Sequence, residues 1–343
     1  MREITALTLS ILFVSSLQAQ EAASTAPGAP GRVGRGREGG GGAPVVHTLA
    51  AGPDLGFSFD ENPLSLPAGM EFAAAVAGVA INSKGHIIVY QRAEAGKPMM
   101  LEFDQHQKFV RSWGEGIAKR PHGMRIDAQD NIWITDVADH TVMKLNPKGE
   151  IVMTIGTKGK TGGWNEATGE HYLNQPTDIA FGDNGDVFVA QGHGAPDPRV
   201  LRFDKKGKLI TQWGGKVEGP GAFSMIHTIA RDAKGNIYLA DRDAKRLVIY
   251  DSDGKFVRTI QMGTLLCGFY VTKKNEFYMT SGQDGQIEKL DWDGHVLGVS
   301  GKGPGKGDGQ FGEAHYMAMD TKGDIYVADT GDGRVTKLVK GSH

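Results

Sequence analysis

The chain has 343 residues, with 38 basic against 40 acidic side chains and a formal net charge of −2. That balance offers no basic field for a nucleic-acid backbone or an anionic membrane surface. A single cysteine, Cys267, excludes an intramolecular disulfide, and 50 glycines suit a turn-dense β chain.

In chain order, residues 1–20 carry an early Arg2 and an apolar run over 11–14. The run is too short for a membrane span, which needs about 20 apolar residues. Residues 1–19 read as a signal peptide, which places the protein outside the cytoplasm, secreted or periplasmic. Residues 20–44 are rich in Ala, Pro and Gly and include Arg32, Arg35 and Arg37. They read as a flexible tether whose arginines are solvated. Residues 45–343 are long enough to build one sizeable core.

An internal repeat organises that region. A turn of the Asp-x-x-Gly kind followed by a short apolar strand recurs at 82–89, 127–134, 182–189, 232–239, 272–279 and 320–327. The spacings are 45, 55, 50, 40 and 48 residues. A period of this size with about four β-runs per unit predicts an all-β, six-bladed β-propeller. Outer strands are expected at 109–114, 151–156, 209–214, 256–261 and 296–301, which is five for six units. The sixth unit ends at 334–339, so an N-terminal strand is expected to close the ring and cover an exposed edge. Residues 45–49 are the segment predicted for that role. Trp113 and Trp213 end outer strands before glycine and read as repeat packing.

Aligning the units on the turn gives Ala77, His122, Thr177, His227, Cys267 and His315 at one inner position. With 11 histidines in the chain, three hits at one register have a chance of about one per cent from composition, so satisfied core histidines are the weaker reading. The three lie on alternate repeats, so closure of the ring points them at one axis. Three neutral imidazoles with one position left open match the donor set of catalytic zinc. Cys267 shares the register and reads as a buried inert thiol, with a thiolate fourth ligand as the alternative. Just past the second strand of each unit stand Arg92, Val137, Gly192, Arg242, Gly282 and Thr330. Arg92 and Arg242 face each other across a six-bladed ring and suit a carboxylate or developing oxyanion, unless local acids such as Glu94 and Asp243 absorb them. His193, after Gly192, points to the same mouth as a general base near neutral pH or as a mobile surface histidine. Glu313 and Tyr316 flank His315 and either line the site or pack.

The strings Pro121-His122-Gly123, Trp133-Ile134-Thr135-Asp136-Val137-Ala138, Gln175-Pro176-Thr177-Asp178, Ile210-Thr211-Gln212-Trp213-Gly214 and Ala240-Asp241-Arg242 carry a family resemblance. From about Val76 onward the chain resembles the peptidyl-α-hydroxyglycine α-amidating lyases, NHL-repeat β-propellers. The resemblance implies Zn2+ on His122, His227 and His315, and Arg92 and Arg242 as active-site arginines. It also implies a Ca2+ held partly by the backbone carbonyls of Val79 and Met124. The implied reaction is carbon–nitrogen lysis of an α-hydroxyglycine into an amide and glyoxylate, on a small molecule or a peptide C-terminus. The chain departs from the family at three positions. His193 stands at the catalytic tyrosine, Glu313 at a methionine, and Tyr316 at the calcium-binding aspartate.

Two other readings compete. One is a non-catalytic NHL propeller that binds a protein or glycan partner and keeps a structural metal. The other is an antibiotic-linearising lyase of the streptogramin type, whose Glu-x-His pair Glu313-Ala314-His315 resembles. No nucleic acid or membrane span is expected among the partners, and the expected state is a monomer.

Overall fold

The computed structural model describes residues 46–194, 197–215, 219 and 221–341. The expected signal peptide and the whole of the tether, 20–44, lie outside the described residues. Among the described residues there is no helix.

Six four-stranded antiparallel sheets follow the repeat. Their inner strands are Val76–Ile81, Pro121–Ile126, Pro176–Phe181, Ile226–Arg231, Gly268–Val271 and Ala314–Met319, numbered here as blades 1 to 6. Each inner strand is linked to a second strand by one of the predicted turns. The fourth turn residue has positive φ in every case: Gly85, Asp130, Gly185, Gly235, Asn275 and Gly323. Gly, Asn and Asp tolerate that conformation, which explains the composition of the turns. Where the turn opens with aspartate, its carboxylate closes it. Asp127 Oδ1, for example, accepts from the Gln129 and Asn131 amides, each at 2.9 Å.

The second strands are buried along their whole length: Ile87–Gln91, Ile132–Asp136, Val187–Gln191, Ile237–Asp241, Phe277–Thr280 and Ile325–Asp329. Both faces of each blade therefore bury apolar side chains. The core lies between blades, as where Trp133 and Val142 of blade 2 meet Ile179 and Phe203 in blade 3. The tryptophans behave as repeat packing: a Cβ on Gly254 of blade 4 would fall 2.7 Å from the Trp213 ring of blade 3.

The ring closes through an N-terminal strand, but not the predicted one. Phe57–Asp60 pairs with Arg334–Lys340, with Phe57 opposite Lys340 and Asp60 opposite Lys337. Phe57 and Phe59 alternate inward against the core between blades 5 and 6, while Ser58 and Asp60 face out. Glu61 anchors the end of the strand, accepting from Thr336 Oγ1 at 3.1 Å and pairing with Arg334 at 2.5 Å. The described part of 45–49 forms no strand. It runs along blade 5, where side chains hold its backbone: the Thr48 amide donates to Asp284 at 2.9 Å and the Ala50 amide to Gln286 at 2.8 Å. In its described part the apolar side chains lie on exposed surface, with Val46 80% and Leu49 51% exposed. The long connection between blades 2 and 3 also contains a two-residue hairpin, Trp164–Asn165 with Glu170–His171.

Candidate metal centre

In blades 2, 4 and 6 the second strand ends in aspartate: Asp136, Asp241 and Asp329. Each is buried and pairs across the ladder with the first residue of its inner strand: Pro121, Ile226 and Ala314. Each carboxylate also accepts from the two backbone amides ahead of that strand. For blade 2 these are Lys119 at 2.6 Å and Arg120 at 3.0 Å; for blade 6, Gly312 at 2.9 Å and Glu313 at 2.8 Å. The next residue in each strand is the histidine. The ladder slips immediately there, between Pro121 and Met124, Ile226 and Ile229, and Ala314 and Met317. A bulge re-aims a side chain out of the pleat, and here it turns each imidazole toward the axis.

His122, His227 and His315 meet with ring centroids 4.7, 4.7 and 5.2 Å apart. Each offers one ligand atom, and these atoms all lie within 4.8 Å of one another. Every Nδ1 lies against a backbone carbonyl of the next blade: His122 against Thr177 at 2.9 Å, His227 against Cys267 at 2.7 Å, and His315 against Ala77 at 2.6 Å. A carbonyl only accepts, so each Nδ1 carries the proton and each Nε2 presents a lone pair. Thr177, Cys267 and Ala77 are the residues of the non-histidine blades at the histidine register. One set of three blades thus supplies imidazoles, and the other supplies the carbonyls that orient them. The close approach needs Gly123, where a Cβ would stand 2.5 Å from the Thr177 oxygen.

The Nε2 atoms of His122 and His227 are buried without a hydrogen-bond partner. Burying lone pairs unsatisfied costs free energy that a metal ion at that point would recover. Burial also drives the pKa of all three rings down, with neighbouring imidazoles and arginines adding to it. His315 reaches about 3. Neutral imidazole is the form that ligates a metal, so the residues fit a cation held by three nitrogens.

The inner strands descend from the loops into the ring, which sets what lies above and below the triad. His193, just past the second strand of blade 3, lies on the loop side. Its ring packs on His122 at 4.8 Å and on His227 at 5.3 Å. Burial, then the positive charges of Arg242 and Arg120, push its pKa down to about 3. That direction favours the neutral ring. Arg92 and Arg242 flank the same mouth. Arg92 Nε donates to the Pro121 carbonyl at 3.1 Å. Arg242 pairs with Asp243 at 3.0 Å and lies 3.6 Å from Glu313, which also accepts from Thr330. Asp243 thus engages Arg242 as the local-acid reading expects, with Glu313 added from blade 6. Arg120 joins this positive edge and was not singled out from the sequence. Only its position beside His122 could have flagged it.

Cys267 is fully buried, and burial together with the Glu313 charge raises its thiol pKa well above the usual value. It serves the site through its carbonyl, with the sulfur outside the ligand cluster. Below the triad lies Tyr316, fully buried, with its ring against those of His315 at 4.7 Å, His122 at 5.8 Å and His227 at 6.4 Å. Val79 and Met124 lie on the inner strands at this depth, both buried.

A family model described as a six-bladed β-propeller matches residues 168–330. NHL repeat-containing protein 3 of Mus musculus is 32% identical over 192 residues, covering 53% of this chain and 53% of the relative. A probable peptidyl-alpha-hydroxyglycine alpha-amidating lyase of Caenorhabditis elegans is 29% identical over 201 residues, covering 52% and 55%. The chain thus spans about half the length of these curated relatives. Among solved structures, a streptogramin B lyase superposes with TM-score 0.59 over 85% of this chain and 100% of that one. At 13% identity that likeness speaks for the fold alone. The chain is a six-bladed β-propeller whose relatives include NHL-repeat proteins and peptidyl-α-hydroxyglycine α-amidating lyases.

Proposed function

We propose that the protein is a zinc-dependent lyase that cleaves an α-hydroxyglycine-type carbinolamide into an amide and glyoxylate. The observation that carries this reading is the triad itself: three imidazoles with fixed tautomers and inward lone pairs, beneath a mouth edged by Arg92 and Arg242. Zinc held by His122, His227 and His315 would supply Lewis-acid chemistry at this point. Arg242 and Arg92 hold the substrate carboxylate and keep it oriented as the charge redistributes. Neutral His193 accepts the hydroxyl proton as the carbon–oxygen double bond of glyoxylate forms. The carbon–nitrogen bond breaks, and a proton returns to the amide nitrogen, so no water is consumed. A carboxylate seated on the arginines screens the positive charges that weaken His193 as a base.

The relatives named as lyases support this choice, while the likeness to NHL repeat-containing protein 3 favours a binding propeller as the second reading. Glyoxylate release from α-hydroxyhippurate by the zinc-loaded protein tests the proposal. Turnover abolished by chelator and restored by zinc is the expected result. A fully zinc-loaded protein that releases none is a binding propeller with a structural metal.

A further inference from the structure

A structural calcium ion, which the lyase resemblance places below the triad, does not fit this chain. Calcium takes six to eight oxygen ligands, carboxylates foremost. Here Asp178 and the Thr177 and His227 carbonyls already accept protein donors. The carboxylate of Asp178 holds Arg125 through two contacts, at 2.9 and 2.6 Å, and accepts from Thr228 Oγ1 at 2.6 Å. The Thr177 carbonyl accepts from His122, from Thr135 Oγ1 at 3.0 Å and from the Tyr316 hydroxyl at 3.3 Å. The same hydroxyl reaches the His227 carbonyl at 3.1 Å. Tyr316 itself occupies the position where the family carries its aspartate.

We infer that Arg125, Asp178 and Tyr316 form a protein-built substitute for an axial cation. The guanidinium of Arg125 lies 5.1 Å from the centre of the Tyr316 ring and brings the fixed positive charge that an ion would bring. The network ties five blades together. Arg125 belongs to blade 2, Asp178 to blade 3 and Thr228 to blade 4, and Thr228 accepts the Phe269 amide of blade 5 at 3.3 Å. Tyr316 of blade 6 reaches blades 3 and 4 through its hydroxyl. Burial opposes the charge on Arg125, but Asp178 outweighs it and keeps the guanidinium protonated. The calcium comparison comes from the lyase resemblance, but the network itself does not require lyase activity.

The test uses the zinc-loaded full-length chain, equilibrated with millimolar calcium, desalted and analysed for bound metals, with melting followed in calcium and in magnesium. Fewer than about 0.1 calcium ions per chain and a melting shift under about 1 °C are expected, since a ligand that does not bind the native state cannot raise its stability. About one calcium per chain, or a calcium-specific rise of about 5 °C or more, overturns the inference. Arg125→Met leaves Asp178 buried without its partner and is expected to lower the melting temperature by roughly 5–15 °C. An unchanged melting temperature also overturns it. If Arg125→Met does not fold, Arg125→Lys keeps the charge without the fork. A measurable drop there supports the network, and no drop contradicts it.

Discussion

Blades 2, 4 and 6 differ from blades 1, 3 and 5 at two positions of an otherwise common repeat. The first three end their second strand in aspartate and carry histidine at the inner register. Blades 1 and 3 end it in Gln91 and Gln191, blade 5 in Thr280, and the inner register holds Ala77, Thr177 and Cys267. The glutamines also cap the chain ahead of their strands: Gln91 accepts the Ala73 amide and Gln191 the Asn174 amide, at 2.8 and 2.9 Å. The scaffold is therefore shared, while the chemistry is divided. One set of blades brings side chains to the axis, and the other brings backbone carbonyls that fix their tautomers. A side-chain change in the second set should therefore matter little to the metal, and one in the first set a great deal.

That contrast can be broken most sharply at His227. His227→Ala should take bound zinc from about one per chain to near zero and cut lyase turnover by more than about a thousandfold, read by elemental analysis and glyoxylate release. Phe203→Ala tests whether a carbonyl blade is a structural pillar. The ring is fully buried and meets Trp164 edge-on at 4.7 Å, so its loss should cost about 3–5 kcal/mol by denaturant titration while zinc remains bound. Arg242→Met should leave zinc in place and lower kcat/KM by roughly 10²–10³-fold, because it removes a charged clamp and no ligand.

A pH experiment separates the axis from the periphery. Burial lifts Glu288 of blade 5 to about 7 from 4.5, with one carboxyl oxygen unpartnered and the other accepting from Thr264 at 2.6 Å. The folded state holds a proton that the unfolded chain releases above pH 4.5. Stability from this group is thus complete below 4.5 and is lost as pH rises to 7. Glu288→Gln should flatten that slope, worth up to about 3 kcal/mol, in melts compared at pH 5 and pH 8. Last and smallest, Cys267→Ala should leave zinc content unchanged, since its carbonyl is retained. A loss of zinc would make the sulfur a ligand.

The repeat, the turns and the histidine register were legible in the sequence because each rests on local chemistry: positive-φ residues at fixed offsets and one residue type recurring at one position. The closing strand was misplaced because 45–49 has more apolar residues than 57–60. The alternation of Phe57 and Phe59 with Ser58 and Asp60 is the signal that decided the pairing. The carbonyls that hold each Nδ1 left no trace, since a backbone oxygen has no residue type. Arg125 and Asp178, 53 positions apart, looked like ordinary strand charges until ring closure set them face to face. The depressed pKa of His193 is likewise a product of folding, which gathers arginines from separate blades around it.

X-ray absorption at the zinc edge of the purified, zinc-loaded protein tests the central claim most directly. Three imidazole nitrogens at about 2.0–2.1 Å, with any fourth ligand an oxygen, are the predicted shell. A sulfur at about 2.3 Å, or a shell with fewer than three imidazoles, would contradict it.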